Sequence, residues 1–279
     1  CKITSSSERG HPCPRSAPRA MRYQFATEEP DYAPFAGGQV FYGLPGQAAF
    51  PARLASEVFL RCADRLAQDG VAGPYVVYDP LCGLAAHLAT IALLHWPLVD
   101  TILGSDIEAG VAAVARRNLS LLTLAGMERR MAQLAEMIAS YGKESHRLSL
   151  AHAEQLRDRL RAHLQSHEVR AHAFCADATQ PPPLGSGSLQ RPIDIVFADI
   201  PYGRRSTWRL PEAAPGAEND PLRQMLDALR GILPAHAVVA IASGNRQKVS
   251  HEKYERFSQL RAGKRRITLL RPAAKARPG

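Results

Sequence analysis

The sequence predicts an α/β domain: one mostly parallel sheet with helices on both faces, closed by an antiparallel hairpin near the C terminus. Three observations predict it. Short apolar runs alternate with segments of helical period. Asp79, Asp106, Asp177 and Asp199 each stand at or just beyond the C-terminal end of such a run. Two strand-like stretches, Tyr254 to Phe257 and Arg266 to Leu270, flank the turn residues Ala262-Gly263-Lys264.

Taken in order, Met21 to Pro51 is rich in Gly, Pro and aromatics and reads as an irregular lead-in. Pro51 opens a helix whose apolar positions are Leu54, Ala55, Val58, Phe59, Cys62 and Leu66, and Asp69-Gly70 stops it. Tyr75 to Tyr78 is the first strand and Leu84 to His95 the helix after it. Thr101 to Gly104 is the second strand, followed by a helix from Glu108 through Val111, Val114, Ala115 and Leu119. Residues 120–169 keep a helical period and read as two inserted helices. The Met127 and Met131 stripe there is a packing face, and Arg129, Arg130, Arg157, Arg159 and Arg161 read mostly as a solvated charged face. Arg170 to Cys175 is the third strand, Gln180 to Arg191 a Pro/Gly/Ser loop, and Ile193 to Ala198 the fourth strand. Pro221 to Leu233 is a helix and Ala237 to Ser243 the fifth strand. The expected organisation is an extension over 1–20, a lead-in and helix over 21–74, a core domain over 75–271 and a basic tail over 272–279.

Composition narrows the setting. With 279 residues and 46% hydrophobic content the chain can bury a large core, yet no apolar run is long enough to span a membrane. The five cysteines are scattered without a CxxC pair, which argues against a disulfide framework or a zinc site and for a reduced, cytoplasmic setting. The first twenty residues lack the apolar core of a secretory signal, and Met21 opens the patterned part. A formal net charge of +9, with the cations concentrated beyond Asn245, points to a polyanionic partner, nucleic acid foremost.

The strand ends carry the chemistry. Open α/β sheets bind ligands at the C-terminal edge. Asp79-Pro80-Leu81-Cys82-Gly83 is a strand-to-helix turn whose glycine lets a ligand approach the backbone. Asp106, followed by Ile107, is placed to accept the hydroxyls of a ribose, and Asp177-Ala178 to meet the amino group of an adenine. Each aspartate alone reads as a cap or turn residue. Three in succession, followed by Asp199-Ile200-Pro201-Tyr202-Gly203, read as a site. Here a carboxylate accepts a proton or hydrogen bond, Pro201 stiffens the turn and Tyr202 offers a stacking face.

From Tyr75 to Arg271 this order resembles the class I S-adenosylmethionine-dependent methyltransferases, whose Rossmann-like fold it implies. Asp199-Ile200-Pro201-Tyr202 resembles their nitrogen-methylating signature, with Ile200 where a first proline is usual. The first motif departs at Ala85, where the family has a glycine. A closer likeness, over nearly all of Met21 to Arg271, is to the avilamycin-resistance rRNA methyltransferases of the AviRa type. It is carried by Phe35-Ala36-Gly37-Gly38, Pro45-Gly46, the run from Phe50 to Glu57, Gly104-Ser105-Asp106-Ile107, Ala115 to Leu119, Asp199 to Gly203, and Thr207-Trp208.

The resemblance implies S-adenosylmethionine as methyl donor, held by Asp79, Cys82, Gly83, Asp106, Ile107, Asp177 and Ala178. It implies a guanosine of 23S rRNA as substrate, naked or in the large ribosomal subunit, and a monomer needing no metal. Asp199, Pro201 and Tyr202 are the expected catalytic residues, with Asp199 taking a hydrogen bond or proton from the base nitrogen. Arg204, Arg205, Trp208, Lys264, Arg265 and Arg266 are the expected RNA contacts. Two other readings stay open: a same-fold enzyme acting on DNA or a protein amide, and a non-catalytic RNA binder whose cofactor pocket has decayed at Ala85.

Overall fold

A computed structural model describes residues 22–27, 31–47, 49–184, 191–201, 208 and 220–274. Its strands are β1 (Tyr75–Asp79), β2 (Val99–Asp106), β3 (Arg170–Cys175), β4 (Ile195–Asp199), β5 (Val238–Gly244), β6 (Tyr254–Ala262) and β7 (Arg265–Pro272). They form one sheet in the order β3-β2-β1-β4-β5-β7-β6. The first five are parallel, and β7 lies antiparallel between β5 and β6. The helices are α1 (Ala52–Gln68), α2 (Ala86–Leu94), α3 (Ala109–Ser120), α4 (Leu124–Tyr141), α5 (Glu144–His163) and α6 (Pro221–Ile232). No helix among the described residues is long and apolar enough to cross a membrane.

Alternation along the strands divides the interior into two cores. Val77, Phe197, Ala240 and Ile267 join the core built with α1 to α5, while Tyr78, Val196, Ile241 and Leu270 join the one built with α6. Both faces of the central strands are covered, so they read as unbroken apolar runs rather than as alternating ones. The two inserted helices form a hairpin that adds Met127, Leu134, Ala153, Leu156 and Leu160 to the first core, with Thr123 capping α4 by accepting from Gly126 N at 3.1 Å.

Several boundaries differ from expectation, most by an extension of the strands β2, β6 and β7, and two of the differences have identifiable reasons. β4 starts at Ile195 rather than Ile193, because the Asp194 side chain replaces a ladder carbonyl, accepting from Val76 N at 2.9 Å. The helix after β1 starts at Ala86 rather than Leu84, because Gly83 and Ala85 both have positive φ, which a right-handed helix excludes.

The lead-in is tied down by polar side chains. Asn118, fully buried on α3, accepts from Tyr42 N at 2.8 Å and donates to Tyr42 O at 3.0 Å and to Leu84 O at 2.8 Å. One amide thus joins the lead-in to the turn after β1. Arg130 is not part of a solvated face: it donates to Val40 O at 2.7 Å. The Arg117 and Arg130 guanidinium groups lie 4.0 and 4.5 Å from the Tyr42 ring centre.

Candidate active site

β3, β2, β1 and β4 are neighbours and run the same way, so Asp177, Asp106, Asp79 and Asp199 meet at one edge of the sheet. Their surroundings differ. Asp79 is fully buried; Oδ1 accepts from Leu81 N at 2.7 Å, and Oδ2 lies 2.8 Å from His87 Nε2. Its carboxylate braces the turn from within. Asp106 faces that turn, accepting from Gly83 N at 3.2 Å and from Glu108 N at 2.9 Å. Burial pushes the Asp106 carboxyl above the ordinary aspartate range, while those two donors pull it down and the nearby Glu108 and Asp79 push it up. Asp177 Oδ1 accepts from Thr179 N at 2.9 Å and from Thr179 Oγ1 at 2.8 Å, shaping its own loop. Ala178 beside it is buried in the second core.

The turn approaches β2 closely. Cys82 N donates to Ser105 O at 2.9 Å, and a Cβ at Gly104 would stand 2.9 Å from Cys82 Sγ, so only glycine leaves room there. Burial raises the Cys82 thiol well above its ordinary value, with Asp79 and Asp106 adding to the rise. It stays a protonated packing group. At Gly83, φ is +52° and an added Cβ would meet only Gln47 Oε1, at 3.7 Å, so the backbone is open toward the lead-in. Gln47 is brought there by a turn in which Gln47 N donates to Leu44 O at 3.2 Å across Pro45-Gly46. Ile107 is 36% exposed, a large apolar side chain left at the rim next to Asp106.

Ala85 carries the departure from the family motif. It takes up the left-handed conformation (φ 55°, ψ 18°) that a glycine would favour, and it is 0% exposed. Its methyl group belongs to the first core, with Leu88 and Ala89.

Asp199 ends β4 on the face that carries Phe197. Its Oδ1 is buried without a hydrogen-bond partner among the described residues, and its Oδ2 lies 4.0 Å from Arg265 Nη2. Burial pushes the carboxyl up to about 6, against the downward pull of Arg265 and His87, while Asp79 adds to the rise. Phe50, His87 and Phe197 pack edge-on or tilted beneath it, with ring centres 5.3 to 6.0 Å apart. Ile200 N donates to Ala242 O at 2.9 Å, extending the β4–β5 ladder by one residue and fixing the turn into the half-buried Pro201.

Among the expected RNA contacts, Tyr202's neighbours Arg204 and Arg205 lie outside the described residues, as does the catalytic candidate Tyr202 itself. Trp208 is half-buried against the second core. The trio at the hairpin is divided. Lys264 is exposed in the turn, whereas Arg265 and Arg266 are half-buried and project to opposite faces of β7. Sequence reading missed His87, Phe50 and Gln47 as neighbours of the site. A histidine inside the apolar run from Leu84 to Leu94 was a signal for the first, and the family likeness of the run that Phe50 opens was one for the second; Gln47 had none beyond its place in the lead-in.

Comparison with known proteins shows the family and the fold. The family model of the rRNA methyltransferase AviRa matches residues 21–265. A 23S rRNA (guanine(2535)-N(1))-methyltransferase of Streptomyces viridochromogenes is 33% identical over 251 residues, covering 90% of this chain and 96% of its own. A crystal structure of the rRNA methyltransferase AviRa from the same organism, at 2.4 Å, superposes with a TM-score of 0.76 at 32% identity, covering 89% of this chain and 96% of its own. A second, at 1.5 Å, has the same TM-score of 0.76 at 31% identity over the same shares. With the aspartates at one sheet edge, the left-handed turn after β1 and a match over most of its length, the chain belongs to the AviRa family of rRNA methyltransferases.

Proposed function

We propose that this protein transfers a methyl group from S-adenosylmethionine to the ring nitrogen N1 of a guanosine in 23S rRNA. The observation that carries the reading is the half-buried Asp199 carboxylate at the end of β4: its Oδ1 has no hydrogen-bond partner among the described residues, it is raised toward neutrality, and it is set at the edge where the turn after β1 opens. The relative's activity on guanine N1 supports the choice of atom.

The residues present fit the donor. Gly83 leaves open backbone, Asp106 stands where a ribose would be held, and the exposed Ile107 supplies an apolar face for an adenine. When bound, the donor supplies an electrophilic methyl group on a sulfonium. Asp79 acts through the turn it braces, and Asp106 orders the Gly83 N–H while keeping lone pairs for hydroxyls. Guanine N1 carries a proton, so its lone pair is available only when that proton leaves. Asp199, ionised above about pH 6, is the base that takes it. Pro201 and Tyr202 hold the flipped base against it, and the exposed cations of the C-terminal hairpin engage phosphates.

The reading of a decayed pocket loses its support, because the Ala85 methyl group is turned into the core. Ala85→Gly is expected to leave donor affinity within about threefold. It should change stability by less than about 1 kcal/mol, since relief of left-handed strain offsets the lost methyl burial. Calorimetry and thermal melting check both; tenfold tighter binding would place the methyl group in the donor's path.

The decisive experiment is mass-spectrometric mapping of unmethylated 23S rRNA incubated with the protein and S-adenosylmethionine. One N1-methylguanosine is expected. Label on DNA or protein alone, or no label despite donor binding, would overturn the assignment.

A further inference from the structure

Arg265 is the first residue of β7, and its pairing with Gly244 sets it at the same sheet edge as Asp199. It shares a strand face with the buried Ile267 and Leu269, whereas Arg266 takes the face of Thr268 and Leu270. Its side chain is 25% exposed, with Nη2 4.0 Å from Asp199 Oδ2 and the guanidinium 5.1 Å from the Phe50 ring centre. A cation for the RNA backbone belongs on the rim, as Lys264 does; Arg265 is aimed inward.

Guanine's pairing edge presents, in a row, the O6 acceptor, the N1–H donor and the N2 amino donor. A carboxylate beside a guanidinium is complementary to that row. We propose that Asp199 and Arg265 read this edge together, the carboxylate accepting from N1–H and the guanidinium donating to O6, which makes Arg265 a catalytic residue that selects guanine. This rests on the reading of Asp199 as acceptor of the N1 proton.

The electron count supports the arrangement. The N1 proton goes to Asp199, the freed pair forms the bond to the methyl carbon, and the methyl–sulfur pair stays with the sulfur. Before that bond forms, charge left on the purine spreads to O6, where a fixed donor stabilises it. Adenine presents the opposite pattern, a lone pair at N1 and an amino group at C6. It would set lone pair against carboxylate and donor against guanidinium, so the pair rejects it by repulsion as well as by lost contacts. Among the described residues, the titratable and charged groups facing Asp199 are Arg265 from β7, His87 from α2 and Asp79 from β1.

The test compares wild type, Arg265→Gln, Arg265→Lys and Asp199→Asn. It uses single-turnover methylation of rRNA fragments with guanosine or adenosine at the target, across the neutral pH range. NMR titration of the Asp199 carboxyl in the donor-free protein and RNA binding at several salt concentrations accompany it. Arg265→Gln is expected to lower the plateau rate about 10²-fold, raise the Asp199 titration and the acid limb of the profile, and narrow the preference for guanosine. Arg265→Lys keeps the charge but not the planar fork, so the limb stays and the plateau falls; it also serves if the glutamine variant does not fold. An unchanged plateau and preference in Arg265→Gln, with RNA affinity and salt slope reduced, would make Arg265 a phosphate contact and overturn the proposal. A shifted limb with an unchanged plateau overturns it too. An inactive Asp199→Asn beside an unaffected Arg265→Gln sinks this inference alone, whereas an active Asp199→Asn sinks the reading beneath it.

Discussion

Asp199→Asn is expected to slow single-turnover methylation by about 10²–10⁴-fold while leaving S-adenosylmethionine affinity within about threefold. The substitution keeps the shape and one acceptor oxygen but removes the capacity to take a proton. It thereby separates two chemistries. A ring nitrogen must lose a proton before it attacks, whereas an exocyclic amino group needs only an acceptor to orient it. Near wild-type turnover in Asp199→Asn, with loss in Asp199→Ala, would move the target from N1 to the amino group. In the wild type the rate should rise with pH up to about 6 and level off above it, because the ionised carboxylate is the active form and burial holds it near that value.

The same burial carries a stability signature of definite sign. The unfolded chain ionises Asp199 at the ordinary aspartate value, whereas the folded chain does so only near 6. Between these values the folded state binds more protons, so ionisation at neutral pH disfavours it. Asp199→Asn should melt higher than wild type at neutral pH and lose that advantage in acid. A base of this kind is kept for catalysis at the expense of stability.

How much of this was legible in the sequence follows from the range over which each signal acts. The strands after Tyr75 were readable because both sheet faces are covered, leaving unbroken apolar runs that end in Asp79 and Asp199 and a shorter one, Ile102-Leu103, before Asp106. The placement of the aspartates followed from their position alone, since successive parallel strands end at one edge. Orientation was not legible. Asp79 turns inward to His87, and nothing in Asp79-Pro80-Leu81-Cys82-Gly83 distinguishes that from a ligand-facing carboxylate. Lys264-Arg265-Arg266 read as one basic patch because net charge has no direction. The period of two in Arg265, Ile267 and Leu269 held the correction, since a residue in register with two buried apolar side chains faces inward as well. Partners far apart in the chain, such as Phe50 beneath Phe197, left no local trace.

Glu57→Ala is expected to destabilise the protein by about 3–5 kcal/mol, a larger effect than any surface substitution would have. Glu57 sits on α1 with 0% exposure. Its carboxylate accepts from Gln24 N at 2.8 Å, Phe25 N at 2.9 Å and Ala26 N at 2.8 Å, and from Arg61 Nε at 2.8 Å. Arg53 completes the clamp from the other side, donating to Ala26 O at 3.0 Å with its guanidinium 4.1 Å from the Tyr23 ring centre. One helix thus satisfies both donors and acceptors of a bent segment that belongs to no strand. Alanine would strand the three backbone N–H groups and leave Arg61 without its buried partner. Burial works to raise the Glu57 carboxyl, but the three N–H donors and Arg61 outweigh it and hold the folded value below the ordinary 4.5. The sign for stability follows. The contribution is fully present above the unfolded value and is lost as pH falls below it through the lower folded one. Urea unfolding of wild type and Glu57→Ala at neutral pH and in mild acid reads this directly: a wide gap at neutral pH that narrows as the medium becomes acidic. Glu57→Gln, which keeps the volume but turns an amide toward N–H donors, should fall between the two. Equal midpoints for wild type and Glu57→Gln at neutral pH would show that shape rather than charge holds the lead-in, and would overturn the charged clamp.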